Sequence, residues 1–95
     1  MKYKITSTSV AKKETSDAVF YYESVRHGLG LAFLKEIEHI YDLISKNPFA
    51  YGYIDNKNLI RDVHVKRFPF VIIYKIESAT VIILSVHHTH RNPKY

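Results

Sequence analysis

Cysteine and tryptophan are absent from this 95-residue sequence, and glycine and proline occur only three times each. Without cysteine there is no disulfide framework, no thiolate zinc site and no thiol catalysis. With so little glycine and proline there is no linker to divide the chain, and no internal repeat or low-complexity tract appears. Long apolar runs are missing too. None reaches the ~18 residues of a membrane span, and Met1-Lys2-Tyr3-Lys4-Ile5 lacks the apolar centre of a signal peptide. These absences predict one domain over residues 1–95, cytoplasmic, with no membrane partner. A domain this small without covalent staples depends on its apolar core, and hydrophobic residues make up 46% of the chain.

The charge is uneven. The net formal charge is +5. Residues 1–57 hold eight Lys/Arg against seven Asp/Glu, whereas residues 58–95 hold six against two, with four of the six histidines. The second half is therefore the basic half, which points to an anionic partner. Eight tyrosines and five phenylalanines supply the aromatic content.

Periodicity sets the element order. Lys2–Thr6 alternates charged and apolar side chains, as a short strand does. Ser7-Thr8-Ser9 offers hydroxyl caps for a helix from Val10 to about Arg26, with Ala11, Thr15, Ala18, Tyr22 and Val25 on one stripe and Glu14 and Asp17 on the other side. His27-Gly28-Leu29-Gly30 breaks that helix. A second helix, from about Leu31 to Lys46, carries the strongest stripe, Phe33, Leu34, Ile37, Ile40, Tyr41 and Ile44. Asn47-Pro48 stops it, and a loop of about ten residues follows. Three strands are then predicted: Leu59–Lys66, Phe70–Ile76 and Thr80–Val86. The last two are apolar on both parities, so both their faces should be covered, with a tight turn at Glu77-Ser78-Ala79 between them. The fold class is α+β in the order β-α-α-β-β-β, a two-helix hairpin on one face of a four-stranded, mainly antiparallel sheet.

Several local sequences carry a family likeness. They are Tyr21-Tyr22-Glu23, Gly28-Leu29-Gly30-Leu31-Ala32-Phe33-Leu34, Asn47-Pro48, Ile60-Arg61, Lys66-Arg67-Phe68-Pro69-Phe70 before Ile73-Tyr74, and His88-Thr89-His90-Arg91-Asn92-Pro93. In this order and spacing the chain resembles the RelE/ParE superfamily of bacterial toxins from type II toxin–antitoxin modules, and within it the ParE-like, plasmid stabilisation branch. The resemblance implies a growth-inhibiting toxin neutralised by a co-expressed antitoxin. It leaves the target open: RelE-like members cleave mRNA on the ribosome, whereas ParE proteins poison DNA gyrase without hydrolysis.

Cleavage of RNA needs a base for the 2′-hydroxyl, an acid for the leaving oxygen and cations for the phosphate. On the family pattern, Val71 and Thr89 stand where RelE-type sites carry arginines, while Tyr95 matches a terminal tyrosine. If the chain is an enzyme, a ribosome-dependent endoribonuclease, histidine chemistry must take over. His88 would then act with Arg61 and Arg67, while Lys66, Arg67, Arg91 and His90 would contact phosphate or target. Regular strand alternation puts His88 and His90 on the face of Ile82, Leu84 and Val86, and His87 on the face of Val81 and Ile83. Only His88 and His90 share a face for chelation, and neither a metal site nor a cofactor is expected. Arg61 shares its parity with Leu59, Val63 and Val65, so it needs a partner: a carboxylate such as Glu23, or phosphate or target.

The family resemblance also implies an antitoxin segment wrapped across the toxin. Val19, Phe20 and Tyr21 lie partly off the stripe of the first helix. They predict an apolar groove filled by an acidic, amphipathic antitoxin segment in a hetero-oligomer. The leading reading is gyrase binding. The alternatives are the histidine-based nuclease and a degenerate protein that only binds antitoxin.

Overall fold

The computed structural model describes residues 2–90. Its elements in chain order are β1 (Lys4–Ser7), α1 (Ser9–Val25), α2 (Leu29–Lys46), β2 (Tyr53–Asp55), β3 (Ile60–His64), β4 (Phe70–Glu77) and β5 (Thr80–His88). The sheet order is β1-β5-β4-β3-β2, with β1 parallel to β5 and the other neighbours antiparallel. Arg91 and Tyr95 lie outside the described residues.

The caps explain where the helices begin. Thr8 has extended dihedrals and its hydroxyl oxygen accepts from the Ala11 amide at 3.1 Å. The same hydroxyl donates to the Leu84 carbonyl at 3.0 Å, so the cap of α1 also ties the helix to β5. Gly28, at φ 88°, turns the chain between the helices. Because one left-handed residue suffices, α2 starts at Leu29, two residues before the sequence pattern suggests. The Glu23 carboxylate then accepts from the amides of Gly28 and Gly30, each at 3.1 Å, and so caps α2 from α1. Those two bonds hold the Glu23 carboxyl below its ordinary pKa. Gly30 sits where the helices touch: a Cβ there would lie 2.7 Å from the Val19 carbonyl oxygen.

The core lies between the helix hairpin and one sheet face. Ala11 and Ala18 of α1 and Phe33, Ile37, Ile40 and Ile44 of α2 meet Ile72, Tyr74, Val81, Ile83 and Val86. At one end Tyr22, Phe33, Phe68 and Phe70 form an aromatic cluster with ring centroids 4.9–6.2 Å apart. On the reverse face Ile60, Val71 and Ile73 make a second buried cluster with Leu84, as the two-sided apolar pattern of β4 and β5 requires.

Three expectations need correction. The sheet has five strands, not four: Tyr53–Asp55 pairs with Arg61 and Ile60 where a loop was expected. Three residues carry almost no alternation, so only tertiary pairing reveals them. Leu59 is no core residue. It is left-handed at φ 59° and exposed, while Ile60 packs on the reverse face. Finally, β5 is not regular. Its register against β4 shifts between Ile73 and Tyr74, which face Ser85 and Ile83 and leave Leu84 as the extra residue. A bulge resets the side-chain alternation. Beyond it, Val86 and His88 stand opposite Ile72 and Phe70, on the same face as Val81 and Ile83, and His87 stands opposite Val71 on the reverse face.

Candidate functional site

Beyond Ile83, β5 has an open edge. β1 pairs only with Thr80–Ile83, so no described strand lies along Leu84–His88 on that side. The edge is managed by α1 instead. Thr8 takes the Leu84 carbonyl, and Glu14 Oε1 accepts from the Val86 amide at 3.0 Å and the Ser85 hydroxyl at 2.8 Å. Glu14 is thus no free surface charge on the far side of the helix. Between α1 and this edge runs a groove of about 510 Å³, lined by Glu14, Asp17, Ala18, Tyr21 and Tyr22 from the helix and by Phe70, Val86, His87 and His88 from the sheet.

Helical spacing explains the α1 wall. Glu14, Asp17, Ala18 and Tyr21 recur at three- and four-residue steps and so share one face. Of the residues expected to meet a partner, Tyr21 lines the groove, Phe20 is 74% exposed and not part of the lining, and Val19 is half-buried against the core. Burial raises the pKa of the Tyr22 hydroxyl, with Tyr21 adding to the effect. Glu14, Asp17, Phe70 and Val86 were not singled out from the sequence. The signal that could have found them is an acidic and aromatic stripe on one helix of a basic chain.

His88 packs edge-on to Phe70 at 5.0 Å and lies 5.5 Å from the His90 ring. Its Nδ1 accepts from the His90 amide at 3.1 Å, so a neutral His88 carries its proton on Nε2. Thr89 donates to the Pro69 carbonyl through both amide and hydroxyl, tying the end of β5 to the turn before β4. That turn exposes Lys66 and Arg67, because Phe68 is drawn into the core and Arg67 takes φ 75°. The Arg67 guanidinium rests 5.8 Å from the Phe68 ring. Lys66, Arg67, His88 and His90 therefore share one end of the molecule. His87 and His64 belong to the reverse face, on either side of Val71. His87 is buried and its Nε2 finds no hydrogen-bond partner among the described residues, while His64 lies 3.7 Å from Asp62.

Arg61 is elsewhere. It stands opposite Tyr74 on one side of β4, whereas His88 stands opposite Phe70 on the other, so the two are separated by β4 itself and by four residues, roughly 13 Å, along it. Its guanidinium is buried, 4.0 Å from the Tyr53 ring and 5.4 Å from Phe49, and Nη1 donates to the carbonyls of Tyr51 and Phe49. The expected ion pair with Glu23 does not form, since that carboxylate caps α2 and contacts His27. Next to Arg61, the buried Tyr74 hydroxyl donates to the Pro48 carbonyl at 2.6 Å. Burial pushes the pKa of this phenol up to about 12. Together Arg61 and Tyr74 hold the chain that leaves α2.

Val71, at the first position where RelE-type sites carry arginine, is buried with Ile60 and Ile73. Among the described residues, no three histidine, aspartate or glutamate side chains gather to hold a metal ion. No helix among them is long and apolar enough to cross a membrane.

Comparison with known proteins agrees with this architecture. A family profile described as "ParE toxin of type II toxin-antitoxin system, parDE" matches residues 5–93. The chain belongs to the ParE toxin family. A chain of the chromosomal ParDE system from P. aeruginosa has the same fold, with a TM-score of 0.81 at 13% identity over 94% of this chain and 98% of that one. Among curated protein sequences, none matches. As a ParE-family chain it is the toxin type of a type II toxin–antitoxin module, and that membership implies an antitoxin partner.

Proposed function

We propose that this ParE-family toxin inhibits growth by binding its target, DNA gyrase, and does not cleave RNA. The observation that carries the reading is the commitment of Arg61. A cleavage site needs its cations beside the acid and base, yet Arg61 is buried under Tyr53 and donates to backbone carbonyls, two strands over from His88 and offset from it by roughly 13 Å along the strands. His88 itself has its Nδ1 engaged with the His90 amide. Lys66, Arg67 and His90 keep the phosphate- or target-binding role expected of them, as exposed groups at the groove end of the sheet. The cognate antitoxin is proposed to lie in the groove between α1 and the open edge of β5, with Tyr21 and Phe20 as its apolar contacts. An extended segment there would run along Leu84–His88 and exchange the Thr8 and Glu14 bonds to Leu84 and Val86 for backbone ones, as in strand addition.

Transcript mapping after induction in cells tests the target. Growth arrest and DNA damage with intact mRNA are expected, and His88→Ala should remain toxic. Translation-dependent mRNA cuts abolished by His88→Ala would establish the nuclease instead. Induction without arrest would leave a protein that only binds antitoxin.

A further inference from the structure

The aromatic cluster at one end of the molecule carries a rim of cations. Its Tyr22 ring lies 4.9 Å from Phe68, and its Phe70 ring 5.0 Å from His88. Arg26 follows Tyr22 by one turn and closes α1, its amide donating to the Tyr22 carbonyl. Lys66 and Arg67 directly precede Phe68. Arg26, Lys66, Arg67 and His90 are exposed around the cluster. Glu23, a carboxylate near the same end of α1, is already committed to the amides of Gly28 and Gly30 and to His27. The ion pairs among the described residues use Lys2, Lys13, Lys46, Lys75, His27 and His64, so Arg26, Lys66 and Arg67 have no carboxylate there. Arg67 also holds a left-handed backbone, φ 75°, which glycine adopts without strain. A turn needed only to place Phe68 gains nothing from an arginine at that point.

We infer that this end of the toxin rests on the sugar–phosphate backbone of duplex DNA, with Arg26, Lys66 and Arg67 as the phosphate contacts. The inference deepens the gyrase reading and rests on it for the source of the duplex, the DNA on which gyrase acts. Phosphate is favoured over an acidic protein face because the three cations are unbraced. Among the described residues no hydrogen bond fixes their side chains, and the Arg67 guanidinium rests by the Phe68 ring at 5.8 Å. Long unbraced cations suit a uniform line of charge, which asks for reach and not for fixed pairing. Duplex is favoured over single strand because the rings are spent. Phe33, Phe68 and Phe70 are buried against one another with Tyr22 half-buried among them. The exposed Tyr21 meets Tyr22 edge-on at 5.3 Å and lines the groove instead. Single strands bind through free stacking faces, and the described residues of this end keep none for that use.

The test uses the purified chain and the fluorescence anisotropy of a labelled duplex of about 20 base pairs, between about 50 and 200 mM salt. Each phosphate contact contributes about −0.9 to the slope of log affinity on log salt, so three give about −2.7, a loss of about 40-fold across that range. Scrambling the sequence should change nothing. Arg26→Gln, Lys66→Gln and Arg67→Gly should each flatten the slope by about 0.9. Arg67→Gly should also melt no lower than the parent, since it relieves the left-handed residue. Lys57→Gln removes the same charge from the loop before β3, at the opposite end of that strand, and should leave the slope unchanged. No duplex binding, a parent slope shallower than about −2, equal flattening by Lys57→Gln, or tighter binding of the single strand or of poly-glutamate would each overturn the inference. Capture of purified gyrase on immobilised toxin separates this from the target proposal. Gyrase captured equally with and without the duplex, and equally by the three variants, overturns the DNA surface and leaves the gyrase reading standing. Duplex binding with no capture of gyrase supports the DNA surface and overturns gyrase as the target.

Discussion

Replacing Arg61 by alanine separates a structural arginine from a functional one. Three favourable contacts are lost: the donation to the Tyr51 carbonyl, the longer one to Phe49 at 3.5 Å, and the stacking on Tyr53 at 4.0 Å. A hydrogen bond from a charged donor contributes about 1.5–3 kcal/mol, and the 3.5 Å contact adds little because it is long. A cation–π contact of a partly buried group adds about 1–2 kcal/mol. Relief of the buried charge offsets part of this, since desolvating a guanidinium is itself costly. The net loss is then about 2–4 kcal/mol, a large share of the ~5–15 kcal/mol that holds a typical domain together. For a chain of this length each kcal/mol moves Tm by about 4–8 °C. Arg61→Ala should therefore lower Tm by roughly 10–25 °C, read by circular dichroism on the purified chain beside urea melts. Arg61→Lys should fall between, because an ammonium keeps the charge and loses the planar stack. At a temperature where the variant is still folded, growth inhibition should persist. The reasoning is refuted if Arg61→Ala melts within 2 °C of the parent while toxicity vanishes, for the guanidinium would then be serving a target and not the loop.

The remaining predictions concern the same scaffold. Tyr74→Phe leaves the Pro48 carbonyl without its buried donor and should cost about 1–3 kcal/mol in a urea melt at neutral pH. Because the folded pKa of Tyr74 is raised to about 12 from 10.0, its contribution is complete below pH 10 and is lost as pH rises from 10 towards 12. The alkaline fall in stability should accordingly flatten in Tyr74→Phe, and an unchanged fall would show that other groups govern it. Glu23 runs the opposite way: its folded pKa lies below 4.5, so its contribution is present above that value and disappears as pH falls through the lowered one. Glu23→Gln should remove part of the acid limb of a stability–pH curve, and an identical limb in both proteins would contradict the cap. Gly30→Ala places a methyl 2.7 Å from the Val19 carbonyl oxygen and should destabilise by about 1–3 kcal/mol as the helices part, measured by the shift of the urea midpoint. Gly28→Ala has open space around it and should cost only the left-handed backbone, about 1–2 kcal/mol.

The motifs that carry the family resemblance turn out to be largely scaffolding, and that decides what a sequence of this kind can disclose. Glu23 and Gly30 form one helix-to-helix joint. Pro48, Arg61 and Tyr74 form another, which fixes the chain leaving α2. Phe68 anchors the turn that presents Lys66 and Arg67. Both helices were legible from stripes repeated over several turns, and β4 and β5 from apolar, β-branched runs bounded by a tight turn. β2 was not, since three residues held by pairing to Arg61 and Ile60 leave no period to detect. The groove was half legible. Tyr21 was marked by its place off the helix stripe, but the sheet wall depends on an extra residue at Leu84. A bulge leaves no trace in an apolar run such as Val81-Ile82-Ile83-Leu84, and simple alternation then assigns every later side chain to the wrong face. That single residue moves His88 to the helix side and sends His87 to the reverse face, while His88 and His90 stay together as the sequence pattern pairs them, with rings 5.5 Å apart. Family-conserving scaffolds with variable function behave in this way: residues that build the joints recur recognisably, whereas the groove chemistry depends on the register at which two elements meet. For this toxin Glu14 belongs to the second kind, because its bonds to Ser85 and Val86 exist only at the register the bulge sets.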